Sequence, residues 1–190
     1  MRFIGDAHTK FEQYNKIKNQ SEKSFQVGDF GFGFREVPDI FRPTDRFILG
    51  NHDDPILGRQ HPNHLESGSE WEGIFAFNGA ASSDRIHRVE GRDWWPHEEH
   101  SYDEIDQILQ KWEDSECDIV VAHDCPTEIY PLIASHHRYD DASKTRQALS
   151  SLVYIRKPKL FIFGHHHKPF DTVVNGTRFI CLAELQHIDL

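Results

Sequence analysis

Along this chain short apolar runs recur, and each is stopped by a cluster of small and polar residues. Arg2-Phe3-Ile4 leads into Gly5-Asp6-Ala7-His8, Ser24-Phe25-Gln26-Val27 into Gly28-Asp29, and Arg46-Phe47-Ile48-Leu49 into Gly50-Asn51-His52-Asp53. The same syntax returns at Asp118-Ile119-Val120-Val121-Ala122 before His123-Asp124-Cys125-Pro126, and at Lys159-Leu160-Phe161-Ile162-Phe163 before Gly164-His165-His166-His167. Short β-rich runs closed by a turn predict buried strands of a central sheet, with the polar clusters gathered at their C-terminal ends. Helical spacing predicts a helix opening at Ser101, where Glu104 completes a capping box and Ile105, Ile108, Leu109 and Trp112 share a face. A second helix is predicted from Lys144 to Val153, with Ala148, Leu149, Leu152 and Val153 as its apolar side. Thr172-Val173-Val174, Asn175-Gly176 and the run Thr177 to Cys181 predict a hairpin, because Asn-Gly supplies both positive φ values of a type I′ turn. The stretch from Gly58 to His100 is less regular and reads as an elaborated insertion in an α/β or mixed sandwich spanning residues 1 to 190.

A length of 190 residues fits one domain of about 100–200 residues. A formal net charge of −10 disfavours long nucleic acid and anionic membrane as partners, although a site holding cations still accepts phosphate. No apolar run approaches the ~20 residues of a membrane span, and Asp6 interrupts the place of a signal peptide's apolar stretch, so a cytoplasmic protein is expected. Cys117, Cys125 and Cys181 have no C-x-x-C spacing and read as small buried hydrophobes. The 14 histidines are the unusual feature and point to imidazole and metal chemistry.

Asp6, His8, Asp29, Asn51, His52, His123, His165 and His167 all fall just beyond predicted strands. Carboxylate oxygen and imidazole nitrogen suit manganese, iron and zinc. Taken singly, Asp6 reads equally as a helix cap, and Asp29 and Asn51 as turn residues. The ordered succession Asp6-x-His8, Gly28-Asp29, Gly50-Asn51-His52-Asp53, His123 and Gly164-His165-x-His167 resembles the calcineurin-like metallophosphoesterases, from Arg2 to about Phe170.

That resemblance implies a four-layer α/β sandwich with two mixed sheets and a metal site at the strands' C-terminal ends. It implies one metal held by Asp6, His8, Asp29 and His167, and a second by Asp29, Asn51, His123 and His165. Asp29 would bridge, since its two oxygens can each take a metal and the single carbonyl of Asn51 cannot. The cofactors expected are two divalent transition-metal ions, manganese first and iron or zinc next, roughly 3.5–4 Å apart and sharing a hydroxide that attacks the phosphoester directly. His52 would assist the leaving group, with Asp53 orienting its ring and keeping it protonated; a turn or cap before Pro55 is the other reading of Asp53. His166 is expected to point outward.

Two departures from the protein-phosphatase branch stand out: Phe30-Gly31-Phe32-Gly33-Phe34 follows Gly28-Asp29, and Leu49 precedes Gly50 where that branch has arginine. A small phosphoester or nucleotide-type substrate is therefore expected, with a nuclease or cyclic-nucleotide phosphodiesterase as the alternative enzyme. A metal-stabilised interaction module without turnover is the alternative outside enzymes. The Phe-Gly alternation reads either as a core edge or as an apolar wall for a base. Arg85, after Gly79-Ala80-Ala81-Ser82-Ser83-Asp84, and Asn51 are the expected substrate contacts, although Arg85 also has Asp84 and Glu90 as nearby partners. Trp94-Trp95-Pro96 resembles a segment of some small bacterial metallophosphoesterases and reads as packing for the insertion or as part of substrate choice.

Overall fold

The strands split their side chains between two apolar layers. Ile74 and Ala76 join one core and their neighbours Phe75 and Phe77 another, the alternation that a pleated strand imposes. The computed structural model describes residues 1–134 and 143–190. In chain order its elements are β1 (Arg2–Ile4), α1 (Phe11–Lys18), β2 (Ser24–Gln26), β3 (Asp45–Phe47), α2 (Pro55–Arg59), β4 (Glu70–Trp71), β5 (Ile74–Phe77), a 3-10 turn (Arg85–His87), α3 (Tyr102–Asp114), β6 (Ile119–Ala122), α4 (Tyr130–Ile133), α5 (Lys144–Ile155), β7 (Leu160–Phe163), β8 (Phe170–Val174), β9 (Thr177–Cys181) and β10 (His187–Asp189).

Both sheets are mixed, as the family resemblance implies. In the order β10-β1-β2-β3, the first three strands of the chain run parallel and β10 is antiparallel to β1. In the order β4-β5-β6-β7-β9-β8, the four inner strands are parallel and both edges antiparallel. Phe3, Phe25, Val27 and Ile48 meet Ile74, Val121, Ile162 and Ile180 between the sheets. Outside the smaller sheet, Ile4, Phe47 and Leu49 pack on Tyr14 of α1 and on Phe30 and Phe32. Outside the larger one, Phe75, Val120, Phe161 and Phe179 pack on Ile105, Ile108 and Trp112 of α3 and on Leu149 and Leu152 of α5. These are four layers.

Local signals account for the ends. Ser101 and Glu104 form the reciprocal capping box that starts α3, and Trp112 Nε1 donates to Leu152 O at 2.9 Å, tying α3 to α5. Asn175 (φ 52°) and Gly176 (φ 92°) make the β8–β9 turn. All three cysteines are buried and free. The region expected to be an insertion contributes β5, which pairs in parallel with β6 inside the larger sheet. Its run Ile74-Phe75-Ala76-Phe77 before Asn78-Gly79 repeats the strand syntax seen elsewhere. None of the described helices is long and apolar enough to cross a membrane.

A buried ionic knot fixes the far side of the smaller sheet. Asp45, fully buried on β3, receives Arg42 Nε and Nη2 at 3.0 and 2.8 Å and Ser24 Oγ at 2.8 Å, and lies 3.3 Å from the buried Lys18 Nζ. Burial pushes the Lys18 ammonium pKa down, and the charge of Asp45 opposes that shift. Asp45→Ala leaves this ammonium buried without its counter-charge, so urea denaturation should show a loss of about 3–5 kcal/mol, with Lys18→Met in the same chain recovering part of it. An Asp45→Ala variant as stable as the parent would show that the knot is solvated.

Candidate metal centre

The loops leaving both sheets converge on one spot. Asp6 follows β1, Asp29 follows β2, Asn51 follows β3, His123 follows β6, and His165 and His167 follow β7. Their backbone is bent to bring them there: His8 (φ 42°), Asp29 (56°), His165 (66°) and His167 (53°) occupy the left-handed region. Each such residue costs about 1–3 kcal/mol and persists only where its surroundings enforce it. Glycines permit the close approach. A Cβ at Gly50 would overlap Asp29 Oδ1 and His123 Nε2, and one at Gly164 would overlap Asp6 Oδ1.

Two donor groups share Asp29, namely Asp6 with His8, Asp29 and His167, and Asp29 with His123 and His165, and a third, Asp124 with His165 and His166, adjoins them; within each, the donor atoms lie within 4.8 Å of one another. His167 Nε2 is 3.0 Å from Asp6 Oδ2 and 2.9 Å from His8 Nε2, and His8 Nε2 is 3.8 Å from Asp29 Oδ2. On the opposite side Asp29 Oδ1 is 3.2 Å from His123 Nε2. Asp29 therefore turns one oxygen toward each group. Backbone N–H groups steady both carboxylates, His52 N donating to Asp29 Oδ1 at 2.7 Å and His165 N to Asp6 Oδ2 at 3.1 Å.

Asn51 and His123 test whether a metal fits. Asn51 Nδ2 donates to Ser82 Oγ at 3.0 Å and that hydroxyl donates to Glu98 Oε2 at 2.5 Å, while Asn51 Oδ1 is buried with no donor facing it among the described residues. His123 Nδ1 donates to Val27 O at 2.8 Å, which turns its buried Nε2 toward Asp29 Oδ1, 3.2 Å away. Such orientation by outer groups is how metal-ligating side chains are normally held. Electrostatics agree. Burial alone would lower the His123 pKa, but the charge of Asp29, its hydrogen bond and the charge of Asp6 carry it up to about 10. Asp29 lies far below the usual carboxylate range, because His123 outweighs burial. Burial pushes the His165 imidazole well down, leaving a neutral nitrogen. Without a cation the cluster thus holds a proton where positive charge is needed, and its oxygen and imidazole donors fit a divalent metal.

A model of the calcineurin-like phosphoesterases matches residues 3–169. The chain belongs to the calcineurin-like phosphoesterase family. It is a metal-dependent hydrolase of phosphoester bonds. Among solved structures, the phosphopantetheinyl hydrolase of Mycobacterium tuberculosis shares the fold at 15% identity and a TM-score of 0.58, over 96% of this chain and 89% of that one. A conserved uncharacterised Streptococcus pneumoniae protein, a predicted phosphoesterase, aligns at 10% identity and a TM-score of 0.43, over 99% of this chain and 83% of that one. No curated protein matches the chain.

In this phosphoesterase a cavity of about 190 Å³ opens over the cluster, lined by Asp29, Asn51, His52, Arg88, His165 and His167. Arg88 Nη1 is 3.0 Å from His52 Nδ1 and Nη2 is 2.8 Å from His52 Nε2, while Asp84 holds the same guanidinium through Nε and Nη2 at 2.6 and 2.9 Å. Burial lowers the His52 pKa and the positive charge of Arg88 adds to that shift, against the pull of Asp29.

Three residues differ from the sequence reading. Asp53 does not orient or charge His52: its oxygens accept Phe30 N, Gly31 N, Phe32 N and Gly50 N at 3.2, 2.7, 3.0 and 2.9 Å, and burial with the nearby Asp29 pushes its pKa up to about 6. The helix cap before Pro55 is Asp54, which accepts Ile56 N and Leu57 N. Arg85 is exposed with no side-chain hydrogen bond among the described residues, and the arginine at the cavity is Arg88, where the chain leaves the 3-10 turn extended. His166 turns inward, its Nε2 2.9 Å from Asp124 Oδ1, and the same carboxylate receives Arg146 Nε at 2.9 Å. Trp95 is buried against Phe34, with ring centroids 5.4 Å apart.

The Asn51–Ser82–Glu98 chain gives a direct test. Ser82→Ala frees the Asn51 amide and should weaken metal binding by about 10–100-fold in a calorimetric titration with manganese. An unchanged titration would show that Ser82 does not orient Asn51.

Proposed function

We propose that this phosphoesterase is dinuclear and hydrolyses a small phosphomonoester or phosphodiester by direct displacement at phosphorus, without a covalent enzyme intermediate. The observation that carries the reading is Asp29, one carboxylate shared by two donor groups and offering an oxygen to each. Asp6, His8 and His167 would complete one metal site, and Asn51, His123 and His165 the other, with manganese the first choice for so oxygen-rich a set. Bound there, two divalent cations supply Lewis acidity and a water acidified toward neutral pH.

The rest of the work falls to side chains. In hydrolysis the nucleophile's oxygen stays on phosphorus, the bond from phosphorus to the leaving oxygen breaks, and that oxygen ends protonated. His52 stands at the mouth of the cluster and is the group we place at the leaving oxygen, as its proton donor. Because burial and Arg88 depress its pKa, positive charge on this side is carried by Arg88, whose guanidinium can take phosphate oxygens through two N–H groups. Asp84 holds that guanidinium in position.

Metal analysis tests the bridge. Asp29→Asn should lose both metals and His8→Ala chiefly one, with circular dichroism unchanged; full occupancy in Asp29→Asn would remove the dinuclear reading.

Leaving-group dependence tests His52 and Arg88. His52→Ala should slow alkyl phosphoesters by about 10²–10⁴-fold and nitrophenyl esters far less, since nitrophenolate hardly needs a proton. Arg88→Ala should lower kcat/KM for both ester types and by more than Arg85→Ala does, with metals retained. Equal losses in His52→Ala on both substrates, or a larger effect at Arg85 than at Arg88, would contradict these roles.

A further inference from the structure

His52 lines two cavities. One is the metal-facing cavity, and the other a space of about 280 Å³ lined by His8, Thr9, Gly31, Phe34, Arg35 and His52. We propose that this second cavity receives the leaving group, and that it favours phosphoesters whose leaving group carries a planar aromatic ring, stacked on Phe34, and a second anionic group, held by Arg35. The proposal rests on the placement of His52 at the leaving oxygen: a phosphoryl group over the cluster then directs its ester substituent past the imidazole into this space.

The Phe-Gly alternation builds the platform. Phe30 and Phe32 are buried, 0% and 5% exposed, and anchor the loop in the core beneath the smaller sheet, whereas Phe34 is 39% exposed at the cavity. An apolar ring of that size left open beside polar catalytic groups is a surface for a flat ligand. Trp95 supports it edge-on at 5.4 Å between centroids, and His52 lies at 5.9 Å, tilted by 34°. Gly33 (φ 85°) makes that packing possible, since a Cβ there would stand 2.8 Å from both Asp54 Cβ and Trp95 Cζ2. The buried Trp of the Trp-Trp-Pro segment thus acts on the site through Phe34.

Arg35 supplies the charge. Arg2, Arg42, Arg88 and Arg178 are each held by a carboxylate, but Arg35 has no ion pair or side-chain hydrogen bond among the described residues. Exposed on the cavity wall, its guanidinium is free to meet an anionic group of the ligand there. A volume of about 280 Å³ is near the lower end of ligand pockets, about 300–1,000 Å³, and suits one ring system better than a long flexible arm.

The test compares three phosphoesters on the manganese-loaded protein: ribose 5-phosphate, AMP, and adenosine 3′,5′-bisphosphate cleaved at its 5′ ester. It adds calorimetric binding of adenosine, which has no ester to cleave. AMP should exceed ribose 5-phosphate in kcat/KM by about fivefold or more, the low end for one stacked base, and the bisphosphate should exceed AMP again. Phe34→Leu should bring the AMP to ribose 5-phosphate ratio to within about twofold of one and weaken adenosine binding about tenfold, with circular dichroism and metal content as folding controls. Arg35→Met should remove the bisphosphate advantage and keep the AMP ratio. Equal turnover of AMP and ribose 5-phosphate, or adenosine binding insensitive to Phe34→Leu, overturns the subsite. Failure of all three esters to turn over, with adenosine bound through Phe34, overturns the hydrolytic reading and supports the platform.

Discussion

Two buried carboxylates and four imidazoles held within a few ångströms of one another are an electrostatic problem that only positive charge among them solves. Asp6 and Asp29 are fully buried, and two histidine nitrogens stand 2.9 Å apart beside them. Much of the surrounding architecture is a response to that demand. Four of the clustered residues accept left-handed backbone, and glycines at 50 and 164 give up their side chains so that carboxylates can approach. Val27 O and the Ser82–Glu98 pair fix the imidazole and the amide that face inward. A protein spends strain in this way where geometry matters more than local stability.

What could be read from the sequence was whatever lies beside a strand end. Asp6, Asp29, Asn51, His123 and His165 each follow an apolar run, so the run pattern marks their positions, and the order of the clusters resembles that of the family. The helix caps and the Asn175-Gly176 turn were equally plain, because their chemistry is contained in a few adjacent residues. Long-range partners were not. Nothing near Asp53 announces that it binds amides on the loop after β2, and nothing near His166 announces Asp124. Arg85 and Arg88 flank the same short turn, and only the extended conformation at Arg88 decides which reaches the cavity. Glu98 lies 47 residues beyond Asn51 and speaks to it through a serine. The strand at Ile74–Phe77 was legible in principle, since its pattern matches the others, but the irregular stretch around it concealed it.

Asp53 shows how far one buried carboxylate can reach. By accepting amides from both the β2 and the β3 loops, it locks the segment bearing Asp29 to the segment bearing Asn51 and His52. The same bonds set the start of the Phe30–Phe34 loop. The bridging donor, the histidine at the cavity mouth and the aromatic wall are thereby referenced to a single group. A residue expected to tune one proton instead sets the relative position of three parts of the site.

The candidate ligands are also divided between the sheets: Asp6, Asp29 and Asn51 hang from the smaller, and His123, His165 and His167 from the larger. Any cation held by residues of both therefore acts as a rivet through the sandwich, joining at its polar end two layers whose shared interior is apolar. Binding free energy at such a point is also folding free energy, because the unfolded chain has no such site. With such a cation in place, the enzyme's endurance against heat would depend on its metal supply, and a chelator would act as a denaturant as well as an inhibitor.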